Sequence, residues 1–254
     1  MDEFGRWCTF ESDIVRVAEN YFQNLFTSAS SNAMEPVLDM VDKVVTLDMN
    51  NTLLLPYTSD EVKQALFHMH PSKSPGLDGM PPFFFQKYWH IIGRDVTYAV
   101  LFVLNIGHML HKMNYTHIVF IPKKNDPKNV SDYRPISLSN VVSRIVSKVL
   151  ANRLKTILPN VIFDSQSTFV PNWLIIDNTT VAFEVLHKRT GKKGQMDVRL
   201  DISKAYDRVK WDFLRQIMLK LGIDARWVNL AMETVCTASY FVLINGEHLS
   251  ILGC

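Results

Sequence analysis

The sequence predicts an α+β layered fold, on three observations. Stretches with apolar residues at helical spacing alternate with short β-branched or aromatic runs that end at proline or glycine. No internal repeat at solenoid periods is present. The 254 residues are 47% hydrophobic and 20% charged, so a sizeable core is affordable and a disordered, collagenous or low-complexity chain is excluded.

In chain order, residues 12 to 27 read as an amphipathic helix. Ser12 is its N-cap, and Ile14, Val15, Ala18, Tyr21, Phe22 and Leu25 recur at helical spacing. Residues 28 to 58 contain Pro36 and Pro56 without a sustained period and are expected to be mostly extended. Ser59-Asp60-Glu61 opens a short helix to about Met69, with acidic groups at the positive end of its dipole. Pro-Ser-Lys-Ser-Pro-Gly-Leu-Asp-Gly, from Pro71, is a turn-rich loop. Pro81-Pro82 starts an aromatic helix through Phe83, Phe84, Phe85, Tyr88 and Trp89, and a Gly93 break separates it from a second helix over 95 to 110. The aromatic run suits either a core face or a base-stacking surface.

Thr116 to Ile121, stopped by Pro122, reads as a buried strand, followed by a polar loop from Lys123 to Asp132. Asn140 to Leu158 is a long helix with Val141, Ile145, Val149 and Leu150 on its apolar side, while Arg144, Lys148, Arg153 and Lys155 are expected on its surface. A helix over 175 to 187, a basic turn over 188 to 194 and a strand from Met196 to Asp201 follow. Helices near 211 to 219 and 225 to 237 precede a strand over 240 to 244, stopped at Asn245-Gly246.

Composition narrows the function classes. Three cysteines are too few and too scattered for a disulfide framework, and no Cys/His spacing suits zinc. The apolar runs fall well short of the ~18 residues of a membrane span, and the acidic start lacks a signal core. An intracellular protein, nuclear or cytoplasmic, is the expectation. The net charge of +2 hides an asymmetry: residues 1 to 70 hold 4 Lys+Arg against 11 Asp+Glu, a net of −7, and residues 71 to 254 carry a net of +9. The basic part is suited to a polyanion.

Two places can carry chemistry. Val198 to Asp201 reads as a strand ending in a carboxylate, and Tyr206 follows after a short turn. A hard oxygen ligand for magnesium beside a flat aromatic platform is one meaning of that pattern; a helix-capping aspartate is the other. Lys123 follows a strand at a proline, and Arg134 lies a loop further on. A hairpin between them brings an ammonium and a guanidinium to one triphosphate, whereas the alternative is a solvated loop with the arginine paired to Asp132.

Several segments in collinear order carry a resemblance. Pro75-Gly76-Leu77-Asp78-Gly79, Phe85-Gln86-Lys87-Tyr88-Trp89, Phe120-Ile121-Pro122-Lys123, Tyr133-Arg134-Pro135-Ile136-Ser137-Leu138, Ala151-Asn152-Arg153-Leu154, Gln166 to Pro171, Asp177-Asn178 and Leu200-Asp201 through Asp207 resemble the reverse transcriptase of plant LINE-type (non-LTR) retrotransposons. The resemblance covers at least residues 71 to 246, and residues 5 to 26 resemble the connector that precedes the polymerase in such proteins.

It implies a right-hand polymerase: an acidic helical connector over 1–70, fingers over 71–195 and a partial palm over 196–254, with the thumb absent. It implies that Asp201 is the first catalytic aspartate, a ligand to Mg²⁺ together with the Ile202 carbonyl. Tyr206 becomes the aromatic gate beneath the sugar, Lys123 and Arg134 the triphosphate-holding residues, and Gln166 part of a template-contacting loop. RNA template, DNA primer and dNTP are the implied partners.

Two departures accompany it. Pro171-Asn172-Trp173 stands where the family has Pro-Gly-Arg, and neither the Gly-Leu-Arg-Gln-Gly-Asp-Pro segment nor the Tyr-Ala-Asp-Asp hairpin occurs. One aspartate cannot hold two divalent ions about 4 Å apart, so the expectation is a C-terminally truncated polymerase, inactive alone, needing a missing palm and thumb segment in cis or in trans. The alternative is a non-catalytic nucleic-acid-binding remnant or the product of a decayed element. A strand over 240 to 244 without neighbours further predicts an exposed sheet edge and poor solubility.

Overall fold

The computed structural model describes residues 5–26, 34–162, 176, 180, 183, 209–244 and 247–253. The expected helix over 175 to 187, the basic turn over 188 to 194 and the strand ending at Asp201 lie, apart from those three single positions, outside the described residues. Mixed α and β structure with one small sheet is what forms, as expected.

Helix α1 spans Glu11–Phe26. The segment expected to be extended contains two helices, α2 (Glu35–Leu38) and α3 (Leu47–Leu53). Thr46 caps α3 by accepting from the Met49 amide at 3.3 Å, and Leu38, Val45 and Leu53 are buried. Seven residues are too few to show a helical period, so burial stabilises α3 where pattern could not announce it. Helix α4 (Ser59–Phe67) begins in a full capping box between Thr58 and Glu61.

Helices α5 (Pro82–Lys87) and α6 (Trp89–Ile106) meet at Tyr88, not at Gly93. Gly93 is buried inside α6, where a Cβ would stand 2.7 Å from the Trp89 ring. The glycine therefore makes room for an indole and does not break the helix.

Strand β1 (Tyr115–Pro122) is joined antiparallel to β2 (Tyr133–Ser139), and helix α7 runs over Val141–Val161. Helices α8 (Trp211–Lys220) and α9 (Ala225–Cys236) lead to β3 (Ser239–Ile244), which lies parallel to β1. The expectation that β3 lacks neighbours is wrong. β4 (Glu247–Gly253) pairs antiparallel with it, in the order β2-β1-β3-β4, so β3 is an interior strand. A register shift at Phe241/Val242 disturbs the alternation that would have announced β4 in the sequence.

Two apolar clusters hold the described structure together. The larger joins Leu53, Val62 and Leu66 of α3 and α4 to Val100 of α6, Ile145 and Val149 of α7 and Trp227 and Val228 of α9. The N-terminal helices α3 and α4 thus share one core with the elements downstream. The smaller places Phe22 of α1 on Ile118 of β1 and Val242 of β3, cross-strand partners on one face of the sheet.

Arg153 corrects a second expectation. It is 7% exposed, not a surface residue of α7, and its guanidinium satisfies the backbone carbonyls of Leu53, Leu55 and Pro56 as well as the Glu61 carboxylate. It also lies 3.7 Å from the centroid of the Tyr57 ring. Leu53 ends α3, so the arginine satisfies carbonyls that the helix itself leaves without partners.

Candidate nucleotide-contacting hairpin

The β1–β2 hairpin is built from its register outward. Ile121 faces Arg134 and Pro122 faces Tyr133 across the ladder. The Lys123 amide donates to the Asp132 carbonyl at 2.8 Å, which carries the same register one step beyond the strands. Lys123 lies one residue past the end of β1, so the hairpin carries it and Arg134 at the same end of the β1–β2 ladder.

Asp132 organises the loop between them. Its Oδ2 accepts the amides of Lys128 at 2.9 Å and Asn129 at 3.0 Å and lies 2.9 Å from Lys124 Nζ. These donors, the backbone amides first, hold its carboxyl down at about 2. The aspartate is thus committed to Lys124 and its own turn rather than to Arg134, which removes the alternative of an Asp132-neutralised arginine. Lys123 Nζ donates to the Ser131 carbonyl at 2.8 Å. Among the described residues neither Lys123 nor Arg134 is in an ion pair, and both are exposed. Two exposed cations at one end of a hairpin, beside a loop that Asp132 organises, are suited to a polyphosphate.

Exposed Ile121 and Ile136 lie on the face of Arg134, Ile121 directly across from it. Sequence reasoning missed both, because an isoleucine in a strand reads as core until its burial is known. It also missed the turn chemistry of Asp132, although Asn129 and Asp132 stand at capping-box spacing and form one.

A second feature sits where the Ser74 to Gly79 loop meets the start of α7. A Cβ on Gly76 would stand 2.3 Å from Asn140 Oδ1 and 2.6 Å from its backbone, so only glycine fits there. Arg144 Nη2 donates to the Ser74 carbonyl at 2.7 Å. Burial lowers the arginine's pKa, and the charge of Asp78 acts against that.

The Phe83 to Trp89 aromatics serve chiefly as core: Phe85 is buried, with Phe84 and Trp89 packed against the main cluster. Asp201, Ile202, Tyr206 and Gln166 lie outside the described residues. Among the described residues no group of three or more His, Cys, Asp or Glu side chains could hold a metal ion, and no helix is long and apolar enough to cross a membrane.

A cationic hairpin on an α+β layer is suited to a polyanion, and comparison with known proteins gives the family. A family model for the reverse transcriptase (RNA-dependent DNA polymerase) matches residues 121–250, from the end of β1 into β4. The chain belongs to the reverse transcriptase family. It is 33% identical over 232 residues to the transposon TX1 uncharacterized 149 kDa protein of Xenopus laevis, an alignment covering 90% of this chain and 18% of that protein.

It is 28% identical over 166 residues to the Pol polyprotein from the type-2 retrotransposable element R2DM of Drosophila melanogaster, covering 64% and 15%. It is also 23% identical over 215 residues to the RNA-directed DNA polymerase from mobile element jockey of Drosophila funebris, covering 81% and 23%. These relatives bear out the resemblance to non-LTR retrotransposon reverse transcriptases. The chain spans less than a quarter of the length of each.

Proposed function

We propose that this chain is the nucleotide- and template-contacting part of an RNA-directed DNA polymerase of a LINE-type retrotransposon, of the plant group whose motifs it resembles. The observation that supports the reading most is the β1–β2 hairpin, which carries exposed Lys123 and Arg134 at one end of its ladder, at the edge of the segment matched by the family model. On this reading residues 71–195 act as fingers and 196–254 as part of the palm, after a connector over 1–70.

Arg134 offers a planar fork to phosphate oxygens of an incoming dNTP, and Lys123 a mobile point charge. On the same reading Tyr206 would serve as the aromatic gate that disfavours a 2'-hydroxyl, and Gln166 as a template contact. The carboxylate of Asp201 and the carbonyl of Ile202 would be the hard oxygen donors for Mg²⁺, whose chemistry when bound would be activation of the primer hydroxyl and charge neutralisation at the leaving pyrophosphate. A two-metal centre needs further carboxylates, supplied on this reading by a Tyr-Ala-Asp-Asp-type segment outside residues 1–254, in cis or in trans. Access to chromosomal DNA and RNA template calls for a nuclear or cytoplasmic setting.

Fluorescence anisotropy with an RNA template annealed to a DNA primer lacking its 3'-hydroxyl tests the reading. The duplex is expected to bind, with affinity falling linearly on a log–log salt plot. The next complementary dNTP with Mg²⁺ should slow dissociation, and Lys123→Ala/Arg134→Ala should abolish that slowing while the duplex still binds. Absence of binding at low salt would overturn the proposal.

A further inference from the structure

Of the 11 prolines in the chain, only Pro75 follows a serine or threonine. That serine, Ser74, is exposed, lies outside any helix or strand in the loop between α4 and α5, and is held extended by the ring that follows it. An exposed hydroxyl, an extended backbone and a proline immediately after it are what a proline-directed protein kinase needs of its acceptor. Beside it stands a ready cation. Arg144 Nη2 is 2.7 Å from the Ser74 carbonyl oxygen, and Arg144 Nε is buried with no hydrogen-bond partner among the described residues.

We propose that Ser74 is a phosphorylation site for a proline-directed kinase, with the Arg144 guanidinium as the receiver of the phosphate. The γ-phosphoryl group of ATP passes to Ser74 Oγ, the hydroxyl proton goes to the kinase's catalytic base, and ADP leaves. Arg144 already holds the Ser74 backbone carbonyl at 2.7 Å, so a phosphate on this residue would stand beside a guanidinium able to give it charge-assisted hydrogen bonds. Exposed Lys73 is the neighbouring cation in sequence, and Asp78, whose charge already acts on Arg144, is the anion that a phosphate there would meet as a like charge.

Because Gly76 is seated on Asn140 two residues away, the modification would clamp the Ser74 to Gly79 loop onto the start of α7. It would also place a dianion on the basic half of the molecule. The inference concerns loop chemistry and stands apart from the polymerase reading.

The 254-residue polypeptide is incubated with a proline-directed kinase and labelled ATP, and the product is mapped by mass spectrometry. A single phosphate at Ser74, lost in Ser74→Ala, is expected. The phosphate is then titrated by ³¹P NMR. Its second pKa, ordinarily about 6 for phosphoserine, should lie lower in the wild-type chain and return to the ordinary value in Arg144→Gln, with Arg144→Lys between them and all three shown folded by circular dichroism. No incorporation at Ser74 in the folded chain, or a titration unchanged by Arg144→Gln, overturns the proposal.

Discussion

Arg153 Nε and Nη2 donate to the two carboxylate oxygens of Glu61 at 2.7 and 2.9 Å, a two-point ion pair that ties the middle of α7 to the first turn of α4. The arginine is buried and its partner is half-buried, so the pair lies in a region where removing one member leaves the other uncompensated. Arg153→Ala is expected to cost about 3–5 kcal/mol, read as a lower urea midpoint. Arg153→Lys should recover little of this, because one ammonium cannot serve a carboxylate and three carbonyls. A lysine variant of wild-type stability would refute that account.

Acid should loosen the hairpin loop over a defined window. The Asp132 carboxyl sits at about 2 in the folded chain, against an ordinary 3.8. A carboxyl whose folded pKa is the lower one contributes stability above its unfolded pKa and loses that contribution as pH falls through the folded pKa. The loop contacts should therefore persist at pH 5 and disappear between about 4 and about 2. Carbon-13 NMR of the Asp132 carboxyl checks this, with titration near the ordinary value as the contrary result. The Glu61 carboxyl is likewise lowered, chiefly by the hydrogen bond from Arg153, and its stabilisation should fade in the same direction.

Gly76→Ala should strain the loop against α7 without any backbone-angle penalty, since the added methyl meets Asn140 backbone that cannot swing aside. Overpacking of this kind costs roughly 1–3 kcal/mol. The expected signs are a lower Tm and faster proteolysis within residues 72–80. An alanine variant as protease-resistant as wild type would show that the loop does not seat on Asn140.

Docking of α1 on the sheet rests on Phe22, which is fully buried against Ile118 and Val242. Phe22→Ala is expected to cost about 3–5 kcal/mol and to speed amide exchange in β1 and β3 more than in α7. Uniform acceleration across the chain would mean that the two clusters unfold as one unit.

Much of this fold was legible in order of residues alone. The long helices α1, α6 and α7 bury enough turns for a 3.6-residue period to show, and β1 shows because a β-branched run ends at Pro122. What stayed hidden is short or depends on a distant partner. α3 has seven residues and takes its stability from a capping threonine and from the core. Arg153 looks like any helix-surface cation until the α3 carbonyls and Glu61, some 90 residues earlier in the chain, are folded onto it. The neighbours of β3 were likewise invisible, because β1 lies more than 100 residues away and the β4 pattern is interrupted by the register shift.

The sequence by itself determined the α+β class, the charge asymmetry, the principal helices and the pair of cations worth watching, since these depend on local period and residue chemistry. Tertiary structure decided which groups meet. It set Lys123 and Arg134 at the same end of a hairpin, through a register that only paired strands possess, and it turned Asp132 into its own loop toward Lys124. It also drew Arg153 inside, where the carbonyls at the end of α3 needed donors. In each case the cause is hydrogen-bonding and burial between segments remote in the chain, which no local pattern records.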